Sequence, residues 1–211
     1  MSIDGFARER LGWWSPLTAV ERPISPSLWS GTKYTDEDIQ AKISFGVKFA
    51  PDGLSYALSG CKSNKEKSIV ELIEIDTTEL GTKELAKWLY ERRLKACCVV
   101  IDGLNGADAL CDHLGELGVP KNYVIRPHTK DVISGSSLFI DGLKTKSLFH
   151  VDDEDLNQSA LRSVRRPIGK NGAWAFGSTE EASSIPIESC VLAYWGAKNT
   201  KRNPKRKQRL L

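Results

Sequence analysis

The stretch CCVVIDG, Cys97–Gly103, is the most informative part of the sequence for the fold. It begins with a continuous apolar run, which is typical of a strand that is covered on both faces within a parallel sheet. The run ends at Asp102-Gly103, and Asp-Gly pairs favour turns. Because ligand sites in open α/β sheets collect at the carboxyl ends of strands, Asp102 is the first candidate site residue.

The residues on either side of this run predict an alternation of strands and helices. Apolar runs and apolar–polar alternation predict three strands in series, at 43–50, 54–61 and 68–76. A helix is expected from about residue 78 to residue 95. Amphipathic spacing and turn residues after the buried strand predict helices at 105–117, 129–144, 153–165 and 186–197, with a short strand at 123–126.

This order predicts an α/β fold with a mixed sheet: antiparallel strands 1-2-3, then parallel strands 4 and 5, flanked by helices. The ribonuclease H-like architecture has this order of elements. A flavodoxin-like fold is the alternative, but it would need helices between its first strands.

Charge is unevenly distributed along the 211 residues, whose formal net charge is +3. Residues 198–211 contain seven Lys and Arg and no acid, so the rest of the chain is net negative. A basic segment of this density is typical of polyanion contact, most often with nucleic acid, although a solvated tail that aids solubility is the alternative. We divide the chain into an approach segment at 1–42, a domain at 43–197 and a basic tail at 198–211.

Several classes of protein are excluded by the sequence. No apolar run approaches the roughly 18 residues of a membrane helix, so no membrane partner is expected. The charged first ten residues lack the apolar core of a secretory signal, and the five cysteines form no CxxC pair, which together predict a reduced cytoplasmic protein. The chain contains neither a P-loop nor a GxSxG nucleophile elbow.

Carboxylates near predicted strand ends suggest a metal site for phosphodiester chemistry. Mg²⁺ and Mn²⁺ prefer hard oxygen ligands, and two such ions about 4 Å apart can stabilise the attacking and leaving oxygens. Asp102 and Asp52 each follow a predicted strand, and a third acid could come from Glu180, Glu181 or Glu188 near the last helix. A turn role for Asp52 and a helix-dipole role for Glu188 are the structural alternatives.

Six segments in a fixed order carry a resemblance to a known family. They are FARERLGWW (Phe6–Trp14), GVKFAPDG (Gly46–Gly53), VVIDG (Val99–Gly103), VIRPHTKDVISGSSLFIDGL (Val124–Leu143), LNQSALRSVRRPIGKNGAWAFG (Leu156–Gly177) and IESCVLAYWGAK (Ile187–Lys198). From about Phe6 to its end, the chain resembles the C-terminal nuclease part of a phage terminase large subunit, of the tailed-phage type common in actinobacterial hosts.

That resemblance implies a ribonuclease H-like, metal-dependent endonuclease that uses two Mg²⁺ or Mn²⁺ ions. Its implied substrate is concatemeric double-stranded phage DNA, cut during packaging in the host cytoplasm. The implied partners are the terminase ATPase, as a domain or a separate chain, the portal and the small terminase subunit. Asp102 matches the family's acid at the end of the central buried strand.

Two positions depart from the family's pattern. Many relatives carry an Asp in the first strand, where this chain has Lys48, and another just before the last helix, where it has Ser183-Ser184. Lys48 would lie beside Asp102 and neutralise a carboxylate or contact a phosphate, because an ammonium cannot bind a cation. Asp52 and Glu188, or Glu181, would then have to supply the remaining ligands.

Two other functions stay open on these residues. One is a catalytically degenerate ribonuclease H-like domain that binds DNA or docks partners of the packaging machinery. The other is a different ribonuclease H-like nuclease, such as a junction resolvase.

In each case we expect DNA contacts from basic residues of the first strand, of the segment before the last helix and of the tail: Lys48, Arg165, Arg166, Lys170, Lys201, Arg202, Lys205 and Arg206. For Arg165, Arg166 and Lys170, the alternative is an ordinary charged helix face that does not contact DNA.

Overall fold

The computed structural model describes residues 22–35 and 39–204. The helices are α1 (Pro26–Ser30), α2 (Lys83–Arg92), α3 (Ala107–Glu116), α4 (Thr129–Lys144), α5 (Glu154–Arg162) and α6 (Ile185–Asn199). The strands are β1 (Lys42–Phe49), β2 (Ser55–Ser63), β3 (Ser68–Thr77), β4 (Ala96–Asp102), β5 (Val124–Ile125), β6 (Leu148–His150), β7 (Val164–Ile168) and β8 (Ala173–Gly177). No helix among these residues is long and apolar enough to cross a membrane.

Six of the strands form one mixed sheet in the order β5-β4-β1-β2-β3-β6. Strands β1, β2 and β3 are antiparallel, whereas β4 is parallel to β1 and β5 is parallel to β4. This arrangement confirms the predicted mixed α/β sheet. The sequence pattern missed β6, because a strand of three residues is too short to show a period.

The helix predicted at 153–165 ends earlier, at Arg162. Ser163 already has extended backbone, and the following residues pair with Ala173–Gly177 as a separate two-stranded hairpin, β7–β8. Val164 favours a strand because it is β-branched, and Pro167 excludes a continued helix. The glycine-rich segment after it forms the hairpin turn.

Helix α6 packs along one face of the sheet and is buried over most of its length. The Ser44 hydroxyl donates a hydrogen bond to the Ala193 carbonyl at 2.6 Å. A Cβ on Gly46 would lie only 2.1 Å from the Ser189 carbonyl oxygen, so glycine permits this close approach. Since Ser44 faces Ala193 and Gly46 faces Ser189, α6 runs antiparallel to β1.

Residues 22–34, which fall within the predicted approach segment, pack onto the body of the domain. The Trp29 side chain is buried, and its indole ring stacks on His150 with ring centres 3.7 Å apart. The indole N–H also donates a hydrogen bond to Asn157 at 2.7 Å. Trp29 therefore contributes to the core, whereas Trp13 and Trp14 lie outside the described residues.

Candidate active site and DNA-binding cleft

The candidate site lies where β1 and β4 end side by side. Lys48 and Asp102 are register partners on these parallel strands. The first turn of α6 brings Glu188 to the same place, because α6 is antiparallel to β1. A cleft of about 730 Å³ opens over these three side chains.

The Lys48 ammonium lies between the two carboxylates of the cleft. Its Nζ atom is 2.5 Å from Asp102 Oδ2 and 3.5 Å from Glu188 Oε1. The Lys48 and Glu188 side chains are only 13% and 10% exposed, so water screens these charges weakly. The single positive charge thus offsets one of the two negative charges and reduces the repulsion between the carboxylates.

Glu188 is held differently at its two oxygens. Oε2 accepts a hydrogen bond from the Ser184 hydroxyl at 2.9 Å. Oε1 has no hydrogen-bond donor among the described residues, although Arg166 Nη2 lies 3.7 Å away. Burial raises the pKa of the Glu188 carboxyl, and the nearby Lys48, Ser184 and Arg166 only partly offset this effect.

We predict that Glu188→Gln flattens the dependence of the unfolding free energy on pH. The pKa of Glu188 is higher in the folded than in the unfolded state, so the folded protein binds more protons and loses stability as pH rises above about 4.5. Glutamine cannot ionise and removes this loss, which for one group reaches at most about 1.4 kcal/mol per pH unit. Urea unfolding at several pH values measures the effect. The exposed Glu180→Gln variant is the control and should keep the wild-type slope.

Two predicted carboxylate ligands lie away from this cleft. Asp52 is exposed in the turn between β1 and β2, where its Oδ1 atom accepts a hydrogen bond from the Leu54 amide at 2.9 Å. Glu181 is also exposed and pairs with Arg162 at 3.3 Å. Neither residue lines the cleft. The structure therefore brings Asp102 and Glu188 together without Asp52 or Glu181.

The hairpin β7–β8 forms one wall of the cleft. Arg166, Ile168 and Gly177 line it, and Arg166 reaches towards Glu188. The neighbouring Arg165 instead places its guanidinium 4.9 Å from the centre of the Trp174 ring. Lys170 is exposed in the turn of the hairpin. Of the predicted basic residues, Lys48 and Arg166 therefore line the cleft itself.

Arg126 also lines the cleft, and sequence reasoning missed it. It directly follows β5, and its guanidinium donates to the Asp108 carboxylate at 2.6 Å and to the Gly103 carbonyl at 3.1 Å. Its position just after a strand that is parallel to β4 could have identified it, because such strand ends share one edge of the sheet.

Arg202, which we predicted as a DNA contact, binds backbone carbonyls within the domain. Its Nη1 atom lies 2.6 Å from the Ala96 oxygen and 3.3 Å from the Cys97 oxygen, and its Nη2 atom lies 3.3 Å from the Arg93 oxygen. Lys201 beside it is exposed. Lys205 and Arg206 fall outside the described residues.

The donor set of the cleft does not fit a divalent metal as it stands. Mg²⁺ and Mn²⁺ require several oxygen ligands around one position. Within residues 22–35 and 39–204, no group of three or more His, Cys, Asp or Glu side chains could hold an ion. Moreover, the Lys48 ammonium lies between the two carboxylates that converge on the cleft.

Neither a protein-family model nor a curated protein sequence matches the chain. Solved structures do resemble it. The large terminase nuclease from thermophilic phage G20c has 14% identity and a TM-score of 0.56, over 80% of this chain and 97% of that one. The same nuclease with bound magnesium has 10% identity and a TM-score of 0.54, over 79% and 95% of the two chains.

The HK97 bacteriophage large terminase has 11% identity and a TM-score of 0.56, over 84% of this chain. This chain spans 44% of the HK97 protein's length. At such low identity the likeness establishes the fold alone. The chain therefore has the mixed-sheet, ribonuclease H-like fold of the large terminase nuclease domains.

Proposed function

We propose that this chain is the nuclease-type domain of a phage DNA-packaging terminase, and that its cleft binds duplex DNA with Lys48 in place of a metal ion. The observation that carries this proposal is the position of the Lys48 ammonium between Asp102 and Glu188. The packaging ATPase, the portal and the small terminase subunit in the host cytoplasm are the partners that this role requires.

An ammonium replaces only part of what a divalent ion supplies. It provides one positive charge, which reduces the repulsion between the carboxylates and attracts a phosphate oxygen. It provides no coordination positions for an attacking water and no strong polarisation of a phosphodiester oxygen. With Lys48 in this position, we expect the cleft to bind DNA without cutting it.

The charges around the cleft support DNA binding. Three cations, Lys48, Arg126 and Arg166, line the cleft together with two carboxylates, Asp102 and Glu188, and Arg126 is also paired with Asp108. Lys170 adds a further positive charge on the hairpin that forms one wall. Such an excess of cations attracts the phosphate backbone independently of base sequence.

The second candidate is a metal-dependent endonuclease that cuts concatemeric double-stranded DNA. It is favoured by the buried Glu188 Oε1 atom, which has no hydrogen-bond donor among the described residues and could serve as a metal ligand. Lys48 would have to leave its place so that Asp102 and Glu188 could hold Mg²⁺ or Mn²⁺. Asp52 or Glu181 could contribute only after a shift of its loop.

DNA binding and cleavage assays with Mn²⁺ and with EDTA distinguish the two candidates. We expect equal affinity for a duplex in both conditions and intact plasmid DNA after incubation with Mn²⁺. Arg166→Ala should weaken binding about five-fold through the loss of one phosphate contact, whereas the exposed Lys144→Ala variant should not. Mn²⁺-dependent cutting that disappears in Asp102→Ala would instead establish the endonuclease. Preference for a four-way junction over linear duplex would indicate a resolvase.

A further inference from the structure

A groove of about 470 Å³ at the other end of the sheet is lined by four lysines: Lys42, Lys65, Lys95 and Lys198. We call it the lysine groove. Its remaining lining residues are neutral, so no acid offsets the four charges at its wall. Among the described residues, no carboxylate pairs with any of these four ammonium groups, whereas Lys48 in the cleft pairs with two.

Strand directions place this groove far from the cleft. Lys42 begins β1 and Lys95 directly precedes β4, whereas Lys48 and Asp102 lie at the opposite ends of the same strands. At about 3.3 Å per residue, the seven-residue strand β4 separates the two sites by about 20 Å. Lys198 lies in the last turn of α6, which carries Glu188 in its first turn.

Arg202 fixes the start of the basic tail beside the groove. Its hydrogen bonds to the Ala96 and Cys97 carbonyls tie the chain to the beginning of β4. Asn203 and Pro204 then form part of the groove wall. The cations of the tail therefore start at this end of the sheet and not at the cleft.

We propose that the lysine groove is a second binding site for the phosphate backbone of DNA, separate from the cleft. The inference extends the proposed function, since it assumes that DNA is the ligand of this domain. Lysine ammonium groups attract phosphate oxygens as point charges, and contacts to the phosphate backbone are independent of base sequence. Two sites about 20 Å apart allow one domain to hold two segments of DNA, or both ends of a short stretch.

The test compares two triple variants of the full chain in fluorescence anisotropy with a 30-base-pair duplex. Lys42→Glu/Lys65→Glu/Lys95→Glu removes three groove charges, and Lys121→Glu/Lys144→Glu/Lys146→Glu makes the same charge change at exposed positions outside both sites. We expect the groove variant to bind at least ten-fold more weakly than the control variant. The plot of log K against log salt concentration should become less steep by about 2.7, since three phosphate contacts are lost and each contributes about 0.9 to the steepness.

Several outcomes would overturn the proposal. Equal losses of DNA affinity in the two triple variants would show that the effect depends only on net charge and not on the groove. Unchanged DNA binding together with weaker binding to phosphatidylserine vesicles would assign the groove to a lipid surface. The Arg166→Ala variant tests DNA binding in the cleft separately from DNA binding in the lysine groove. If the groove variant weakens binding and Arg166→Ala does not, the cleft assignment fails and the groove assignment stands. Circular dichroism and thermal unfolding confirm that each variant is folded.

Discussion

Replacing Lys48 by aspartate is expected to lower the unfolding free energy by about 4 kcal/mol in metal-free solution and to create a binding site for Mn²⁺. The loss follows because three carboxylates, at positions 48, 102 and 188, would then meet in a poorly solvated cleft. The same three groups supply the hard oxygen ligands that a divalent ion prefers. An ion bound only to the folded state would therefore restore stability.

Thermal unfolding with and without Mn²⁺ measures this exchange of ammonium for metal. At a concentration 100 times its dissociation constant, the ion should add about 2.7 kcal/mol to the stability of Lys48→Asp. For a domain of this size, that corresponds to a rise in Tm of about 5–10 °C. The wild-type protein should show no comparable rise, because its ammonium already occupies the position between the carboxylates.

Lys48→Met is the matched control for this experiment. It removes the ammonium and keeps an unbranched apolar stem, so it should lose less stability than Lys48→Asp, because it adds no third carboxylate. Mn²⁺ should rescue Lys48→Met less than Lys48→Asp. An equal response of the wild type and Lys48→Asp to Mn²⁺ would contradict the idea that Lys48 stands in for a metal ion.

Replacing Arg202 by alanine is expected to lower the unfolding free energy by about 3 kcal/mol. The guanidinium binds three backbone carbonyls, at Arg93, Ala96 and Cys97, and its central carbon lies 5.2 Å from the centre of the buried Tyr123 ring. Hydrogen bonds to charged groups contribute about 1.5–3 kcal/mol each, and nearby water recovers part of that energy when the arginine is removed. Urea unfolding measures the loss.

Lys201→Ala is the control for Arg202→Ala, because it removes an adjacent and exposed positive charge. We expect it to change stability by less than about 0.5 kcal/mol. Arg202→Lys keeps the charge but cannot reach three carbonyls with a planar fork, so it should recover only part of the loss. A stability change of the same small size in Arg202→Ala and Lys201→Ala would contradict the structural role of Arg202.

The carboxylates of this cleft are paired differently from those of a simple metal site, where they bind an ion. Here the two carboxylates are paired to cations of the protein itself, one on β1 and one on the hairpin. Ser184 lies at a position where the family resemblance leads one to expect an acid, and its hydroxyl donates a hydrogen bond to Glu188. The inward-facing acid thus comes from one turn further along α6, where it meets Lys48.

The basic residues predicted as one DNA-binding set divide between two ends of the sheet. Arg166 lines the cleft, whereas Arg202 and the start of the tail lie at the beginning of β4. Nothing in the sequence distinguishes these two locations, because both groups are runs of Lys and Arg near the end of the chain. The distinction depends on the direction of α6, which carries the chain from one end of the sheet to the other.

The sequence by itself determined the mixed sheet and the position of Asp102. Apolar periodicity and turn residues are local properties, so they identify the three antiparallel strands, the buried strand β4 and its polar carboxyl end. Only the tertiary structure decided that Glu188 and not Asp52 joins Asp102, that Lys48 lies between the two carboxylates, and that Arg202 binds carbonyls. These contacts join residues distant in sequence, and their geometry is set by strand register and helix packing, which no local pattern encodes.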